Sequence, residues 1–161
     1  MVIVVMGVSG SGKTTISKKL SERIEVPYFD ADDFHPESNI DKMASGKALN
    51  DEDRRPWLEE LAENISVWAN EKGAVLACSA LKESYRVLLS LKYKSIIWVY
   101  LSGHKALIKD RIEKRQGHFM SSDLLNAQFR DLEIPNKAVV INISKSPEDI
   151  INTIISKLKD E

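Results

Sequence analysis

The sequence lacks most of what marks a secreted, membrane-bound or nucleic-acid-binding protein. A single cysteine, Cys78, has no partner for an internal disulfide, which fits a reducing cytoplasm. Charge of one sign is not in excess. With 23 Lys and Arg against 24 Asp and Glu, no overall field draws the chain to nucleic acid or a membrane, so any anion site must be local. No apolar run approaches the roughly twenty residues of a membrane span. The run at the N-terminus, Val2–Met6, leads straight into a glycine-containing loop and reads as a core strand, not a signal peptide. Internal repeats, low-complexity tracts and Gly/Ser linkers are also missing. At 161 residues, one domain with a proper core is expected.

The informative stretch follows that first strand. Gly7-Val8-Ser9-Gly10-Ser11-Gly12-Lys13-Thr14 fits a glycine, four free positions and then Gly-Lys-Ser/Thr. The glycines allow successive backbone N–H groups to turn inward onto an anion. Lys13 has the reach for β- and γ-phosphates, and the Thr14 hydroxyl can ligate Mg²⁺. A helix predicted from Lys13 to about Ile24 adds the positive end of its dipole. Strand, loop and helix together predict a nucleotide phosphate site, with Gly7, Ser9, Gly10, Ser11, Gly12, Lys13, Thr14 and Thr15 around the nucleotide.

Val26–Phe29 predicts a second strand that ends in Asp30-Ala31-Asp32-Asp33-Phe34-His35-Pro36. Clustered carboxylates need a cation or donors opposite them. Strand alternation would set Asp30 and Asp32 on one side, suiting a joint site for Mg²⁺ and a substrate hydroxyl, and leave Asp33 to cap a turn. Pro36 to Gly46 predicts short helix with Ile40 and Met43 as apolar contacts. Acidic residues and Pro56 open a helix to about Lys72, with Trp57, Leu58, Leu61, Ile65 and Trp68 as its core stripe. Arg54 and Arg55 at its start suit either an anionic substrate or ion pairs with Asp51 and Glu52.

Ala74–Ala77 predicts a third strand running into Cys78-Ser79-Ala80-Leu81-Lys82, with Tyr85 and Arg86 on a helix beyond. Cys78 has no activating partner and reads as a small buried residue. Ser95–Leu101 predicts a fourth strand, and His104–Arg115 a helix with Arg111 and Arg115 on one face. The break Gln116-Gly117-His118-Phe119-Met120 beside them suits a lid over phosphates. Ser121 or Ser122 would cap a helix to about Leu132. Val139–Ile143 predicts a fifth strand, and Ser146-Pro147-Glu148 the start of a last helix. Five short strands alternating with helices give an α/β, three-layer sandwich with a five-stranded parallel sheet and a P-loop kinase architecture.

The phosphate loop, Asp30-Ala31-Asp32 with His35-Pro36, Asn39–Met43, Leu49–Trp57, Cys78–Lys82 with Tyr85-Arg86, and Arg115–Phe119 together resemble the bacterial gluconate kinases (gluconokinases) over about residues 2–160. The resemblance implies phosphoryl transfer from ATP to the 6-hydroxyl of D-gluconate, Mg²⁺ dependence, a nucleoside monophosphate kinase-like fold and commonly a homodimer. It implies a substrate-binding helical segment at about 34–72 and a lid at about 115–130. By the same resemblance Lys13, Asp32 and Arg115 would be catalytic, with Asp32 as base or orienter of the hydroxyl. Thr14 and, through water, Asp30 would serve the metal. Asp32, His35, Arg54, Ser79, Lys82, Arg86 and His118 would face gluconate. Arg111 and Arg115 would divide between adenine and phosphates, in an order that sequence leaves open. Small departures are Thr14 for a common serine, Gln116 for a common basic residue and Met120 where an aromatic can occur.

Competing readings meet specific absences. A shikimate kinase shares the Asp-x-Asp, yet it expects glycines after the third strand, and no Gly-Gly occurs in this chain. A nucleoside monophosphate kinase expects a base-binding helix pattern in place of Asp-Asp-Phe-His-Pro. A GTP-dependent switch needs Asp-x-x-Gly and Asn/Thr-Lys-x-Asp, and neither is present. A non-catalytic nucleotide sensor is expected to have lost Lys13 or Asp32, and both are here.

Overall fold

Val2–Met6 has no polar side chain, forms strand β1, and is fully buried. The computed structural model describes residues 1–115 and 121–160. A strand apolar on both faces belongs in a parallel sheet covered by helices on either side. β1 is the middle of a five-stranded parallel sheet ordered β2-β3-β1-β4-β5, with β2 at Tyr28–Asp30, β3 at Ala74–Ala77, β4 at Ile97–Ser102 and β5 at Val139–Asn142. The helices are α1 (Lys13–Ile24), α2 (Glu37–Ala44), α3 (Asp51–Asn70), α4 (Glu83–Leu89), α5 (Lys105–Lys114), α6 (Ser122–Asp131) and α7 (Pro147–Lys159), with a 3₁₀ turn at Ala31–Phe34.

Alternation along β1 sorts the core into two layers. Val2, Val4 and Met6 face Leu58, Leu61 and Ile65 of α3 and Leu89 of α4. Ile3 and Val5 face Ile16 and Leu20 of α1, Ile108 of α5 and Ile150, Ile151 and Ile154 of α7. Each such side chain contributes about 1.5–3 kcal/mol by leaving water. β1 has β3 on one side and β4 on the other, so the chain reverses direction across the sheet there. The carboxyl edge at that reversal is where open α/β sheets bind ligands.

The sequence-based boundaries shift where local chemistry intervenes. β2 begins at Tyr28, two residues later than expected, because Pro27 has no N–H and contributes only its carbonyl, to Val75 N at 2.9 Å. β4 starts at Ile97 and β5 stops at Asn142, whose side chain accepts from Ser144 N at 2.9 Å in a turn. α3 ends at Asn70, before Gly73 at φ +89°. Ser121 rather than Ser122 caps α6, accepting from Leu124 N at 3.1 Å. Ile40 and Met43 are not the contacts of α2: they are 51% and 42% exposed, and the buried residue of that helix is Asn39, held by polar bonds. Among the described residues, no helix is long and apolar enough to cross a membrane.

Candidate active site

The loop between β1 and α1 is shaped by positive-φ glycines at a close approach. Gly10 sits at φ +80°, and a Cβ there would lie 2.7 Å from Ile112 Cγ1 of α5. Gly12, at φ +98°, precedes α1, which has no side-chain cap and no acidic residue in its first turn. The helix opening is thereby left for an outside anion. Lys13 Nζ donates to Gly7 O and Val8 O, both at 3.0 Å, arching over the loop. Burial lowers its pKa, and the charges of Asp32 and Asp30 work against that shift. Ser11 is buried, its N–H donates to Val8 O at 3.2 Å, and its hydroxyl has no partner among the described residues.

A cleft of about 450 Å³ opens over this loop, lined by Ser9, Gly10, Gly12, Lys13, Thr14, Asp30, Asp32, Cys78, Ser79, Ile112, Arg115 and Gln128. Residues from the ends of β1, β2 and β3 and from α5 and α6 therefore meet at one edge. A second recess of about 290 Å³ on the same loop takes in Thr15, Arg111, Arg115, Ile143, Lys145 and Pro147. Arg111 Nη2 donates to Ile143 O at 2.6 Å and is confined to this recess, whereas Arg115 borders both spaces.

Asp30 and Asp32 come together, but not by strand alternation. Asp30 ends β2 and Asp32 lies in the 3₁₀ turn, where Asp30 Oδ1 accepts from Asp32 N at 2.9 Å. The cap of that turn is thus Asp30, not Asp33. Surrounding protein, then the negative charge of Asp30, raise the Asp32 carboxyl above its usual range, although its side chain is 84% exposed to the cleft. His35 Nε2 lies 3.9 Å from Asp32 Oδ1, and its ring stacks on Trp57 with centroids 4.1 Å apart. Burial lowers the His35 pKa, with Asp32 opposing and Arg54 reinforcing that shift. Cys78 is fully buried, and burial pushes its thiol up to about 12, which agrees with a packing role.

Arg54 and Lys82 border a separate depression of about 590 Å³ with Asn50, Asp51 and Asp131. Asp51 gathers them. Its Oδ1 accepts from Tyr85 Oη at 2.6 Å and Lys82 Nζ at 3.3 Å, and Arg54 Nη1 donates to Tyr85 Oη at 3.2 Å. Arg55 instead pairs with Glu59 at 2.9 Å on the exposed side of α3.

The family follows from comparison with known proteins. The shikimate kinase family model matches residues 9–159. A gluconokinase of Arabidopsis thaliana is 42% identical, covering 96% of this chain and 90% of its own. The thermoresistant gluconokinase of Escherichia coli is 36% identical, covering 98% and 93%. The chain belongs to the gluconokinase family. The crystal structure of a gluconokinase from Sinorhizobium meliloti superposes with a TM-score of 0.90 at 36% identity, over 99% of this chain and 91% of that one. The fold and the enzyme class, a P-loop gluconokinase, follow from these.

Within this gluconokinase the expected substrate residues are not all brought to one cleft: Ser79 and Asp32 line it, Arg54 and Lys82 border the separate depression, and Arg86 is withdrawn from both. Arg86 is 4% exposed, and its guanidinium is consumed by Ala80 O at 2.6 Å, Leu81 O at 3.1 Å, Glu133 O at 2.7 Å and Glu83 Oε2 at 3.0 Å. Arg86 therefore braces the β3–α4 turn against the segment after α6 and has no donor left for a ligand. His118 lies outside the described residues. Sequence reasoning missed Gln128, whose Oε1 accepts from Ser9 N at 2.7 Å while its Nε2 donates to Ser9 Oγ at 3.0 Å. It also missed Lys145 and Pro147 in the second recess. A glutamine 119 residues from its partner leaves no local signal, and Ser146-Pro147 was legible only as a helix start.

Proposed function

We propose that this gluconokinase transfers the γ-phosphoryl group of ATP to the 6-hydroxyl of D-gluconate, giving 6-phosphogluconate and ADP. The observation that carries the reading is the cleft where Lys13 of the phosphate loop and the Asp32 carboxylate share one wall-to-wall space. Relatives named gluconokinases at 36–42% identity supply the acceptor.

In this reading the loop N–H groups and Lys13 cradle the β- and γ-phosphates. Thr15 and Arg111 serve the nucleotide in the second recess, where Pro147 and Ile143 offer an apolar seat for the base. The gluconate hydroxyl lies against Asp32, which orients it and accepts its proton as the oxygen bonds to phosphorus and the bond to ADP breaks. Arg115, bordering both spaces, offsets the charge spread over the transferring group. Arg54, Lys82 and Ser79 are assigned to gluconate, the two cations facing its carboxylate. Among the described residues, no three His, Cys, Asp or Glu side chains gather as a metal cage. The oxygen donors Thr14 and Asp30 on the cleft wall fit Mg²⁺, which keeps most of its waters: Thr14 would hold it directly and Asp30 through water. Bound there, Mg²⁺ neutralises charge on the phosphate oxygens.

Residues 34–72 would form the substrate-binding segment and 115–130 the lid of a single kinase domain. The enzyme would work as a cytoplasmic homodimer, without nucleic acid or membrane partners. ADP release from Mg·ATP, compared with D-gluconate, shikimate, AMP and no acceptor, tests the assignment. Release with gluconate alone, with 6-phosphogluconate as product, is expected. Activity with shikimate instead would keep the phosphate site and discard the acceptor.

A further inference from the structure

Asn39 is a buried polar residue with no place in the phosphoryl transfer described above. It is 3% exposed and lies on α2, one turn beyond His35. Its Nδ2 donates to Asp53 O at 2.9 Å. A backbone carbonyl only accepts, so this bond fixes which end of the Asn39 amide is nitrogen. The same Nδ2 is 3.2 Å from His35 Nδ1. An amide nitrogen only donates, so Nδ1 of His35 accepts and carries no proton. The neutral imidazole must then hold its proton on Nε2, the nitrogen that faces Asp32 Oδ1 at 3.9 Å.

The ring has little freedom to answer otherwise. It lies against Trp57 at an interplanar angle of 19°, and Trp57 is 5% exposed and pinned by its own Nε1 donating to Ala31 O at 2.7 Å. A second proton on the ring would set an N–H against the N–H of Asn39. The frame therefore presents a neutral N–H to the carboxylate, where an imidazolium would weaken Asp32 as a base.

Resting on the gluconate kinase reading, we propose that Asn39 locks His35 in its Nε2–H tautomer, making His35 a positioning residue for Asp32. At 3.9 Å the Nε2 and Oδ1 are close but not hydrogen-bonded. Substrate binding must shorten the pair by about 1 Å, into hydrogen-bond range. Oδ1 is then held by His35 and Oδ2 is left to the acceptor hydroxyl.

Long-range ¹H–¹⁵N correlation of the histidine rings in the wild-type enzyme without substrate reads the tautomer directly, with the His35 signals identified by their loss in His35→Gln. The expected pattern is a protonated Nε2 and an unprotonated Nδ1. A proton on Nδ1 would overturn the proposal whatever the acceptor proves to be, so its failure and that of the gluconate assignment are separable. Kinetics supply the second reading. His35→Phe keeps a ring on Trp57 but loses the N–H, and should lower kcat about tenfold with KM for ATP unchanged, the worth of one positioned hydrogen bond. His35→Gln restores an N–H donor and should recover most of that loss. Full kcat in His35→Phe, or no recovery in His35→Gln, would leave the ring as packing alone.

Discussion

Two arginines show how far side-chain identity alone can mislead. Arg54 and Arg86 both read from sequence as grips for an anionic substrate, but Arg54 borders an open depression while Arg86 is buried with every donor spent. Arg86→Ala should cost about 3–5 kcal/mol, because it strands three carbonyls and Glu83, and should leave KM for gluconate nearly unchanged; urea unfolding and steady-state kinetics separate the two effects. Lys13→Ala should lose about 10²–10³-fold in kcat with an unchanged circular dichroism spectrum. Asp32 carries a sign that can be checked. Its carboxyl titrates above the usual range in the folded protein, so its ionisation opposes folding, and its favourable contribution fades as pH rises through the folded pKa. Asp32→Asn should therefore raise the thermal midpoint at neutral pH while lowering kcat by about 10²–10⁴-fold. In the wild type, kcat/KM for gluconate should fall on acidification at a higher pH than an ordinary carboxylate near 3.9 would dictate. At this scale the phosphate loop was legible because eight consecutive residues carry it. Gln128 on Ser9 was not, since no spacing rule links a helix glutamine to a loop so far away in the chain.

Helix α3 shows what an element can tell in advance. Its start was readable from the acidic residues and Pro56, and the structure adds a full capping box at Asn50: Asn50 Oδ1 accepts from Asp53 N at 2.8 Å and Asp53 Oδ2 from Asn50 N at 2.9 Å. Asp53 also pairs with Lys42 of α2, and its carbonyl receives Asn39, so the cap ties two helices together. Asn50→Ala is expected to cost about 1 kcal/mol in urea unfolding. Because Arg54 rides on that first turn, KM for gluconate should rise more than KM for ATP. The apolar stripe of α3 was legible from its 3.6-residue period, and Trp57, Leu58, Leu61, Ile65 and Trp68 are all buried. The same period misleads for α2, where Ile40 and Met43 are exposed and polar bonds of Asn39 hold the helix. Strand alternation misleads likewise at Asp30-Ala31-Asp32, where a 3₁₀ turn replaces the extended chain that it assumes.

The whole molecule was legible as a class and not as a plan. Alternating strands and helices imply a parallel sheet, but the order β2-β3-β1-β4-β5 depends on which strands find each other over long separations. That order has a consequence for biosynthesis. β1 is synthesised before both of its partners, which begin at Ala74 and Ile97. At about 5–20 residues per second, on the order of 4–15 s pass before even the nearer partner has been made. Meanwhile Val2–Met6 stands exposed, and no charged side chain lies between Val2 and Gly12 to keep it from self-association. A fragment of residues 1–73 should stay unfolded by circular dichroism and sediment as aggregates; a cooperative melt would mean that β1 finds another partner. The strand that anchors the finished enzyme is, for those seconds, its most vulnerable segment and a ready ligand for whatever holds nascent chains apart.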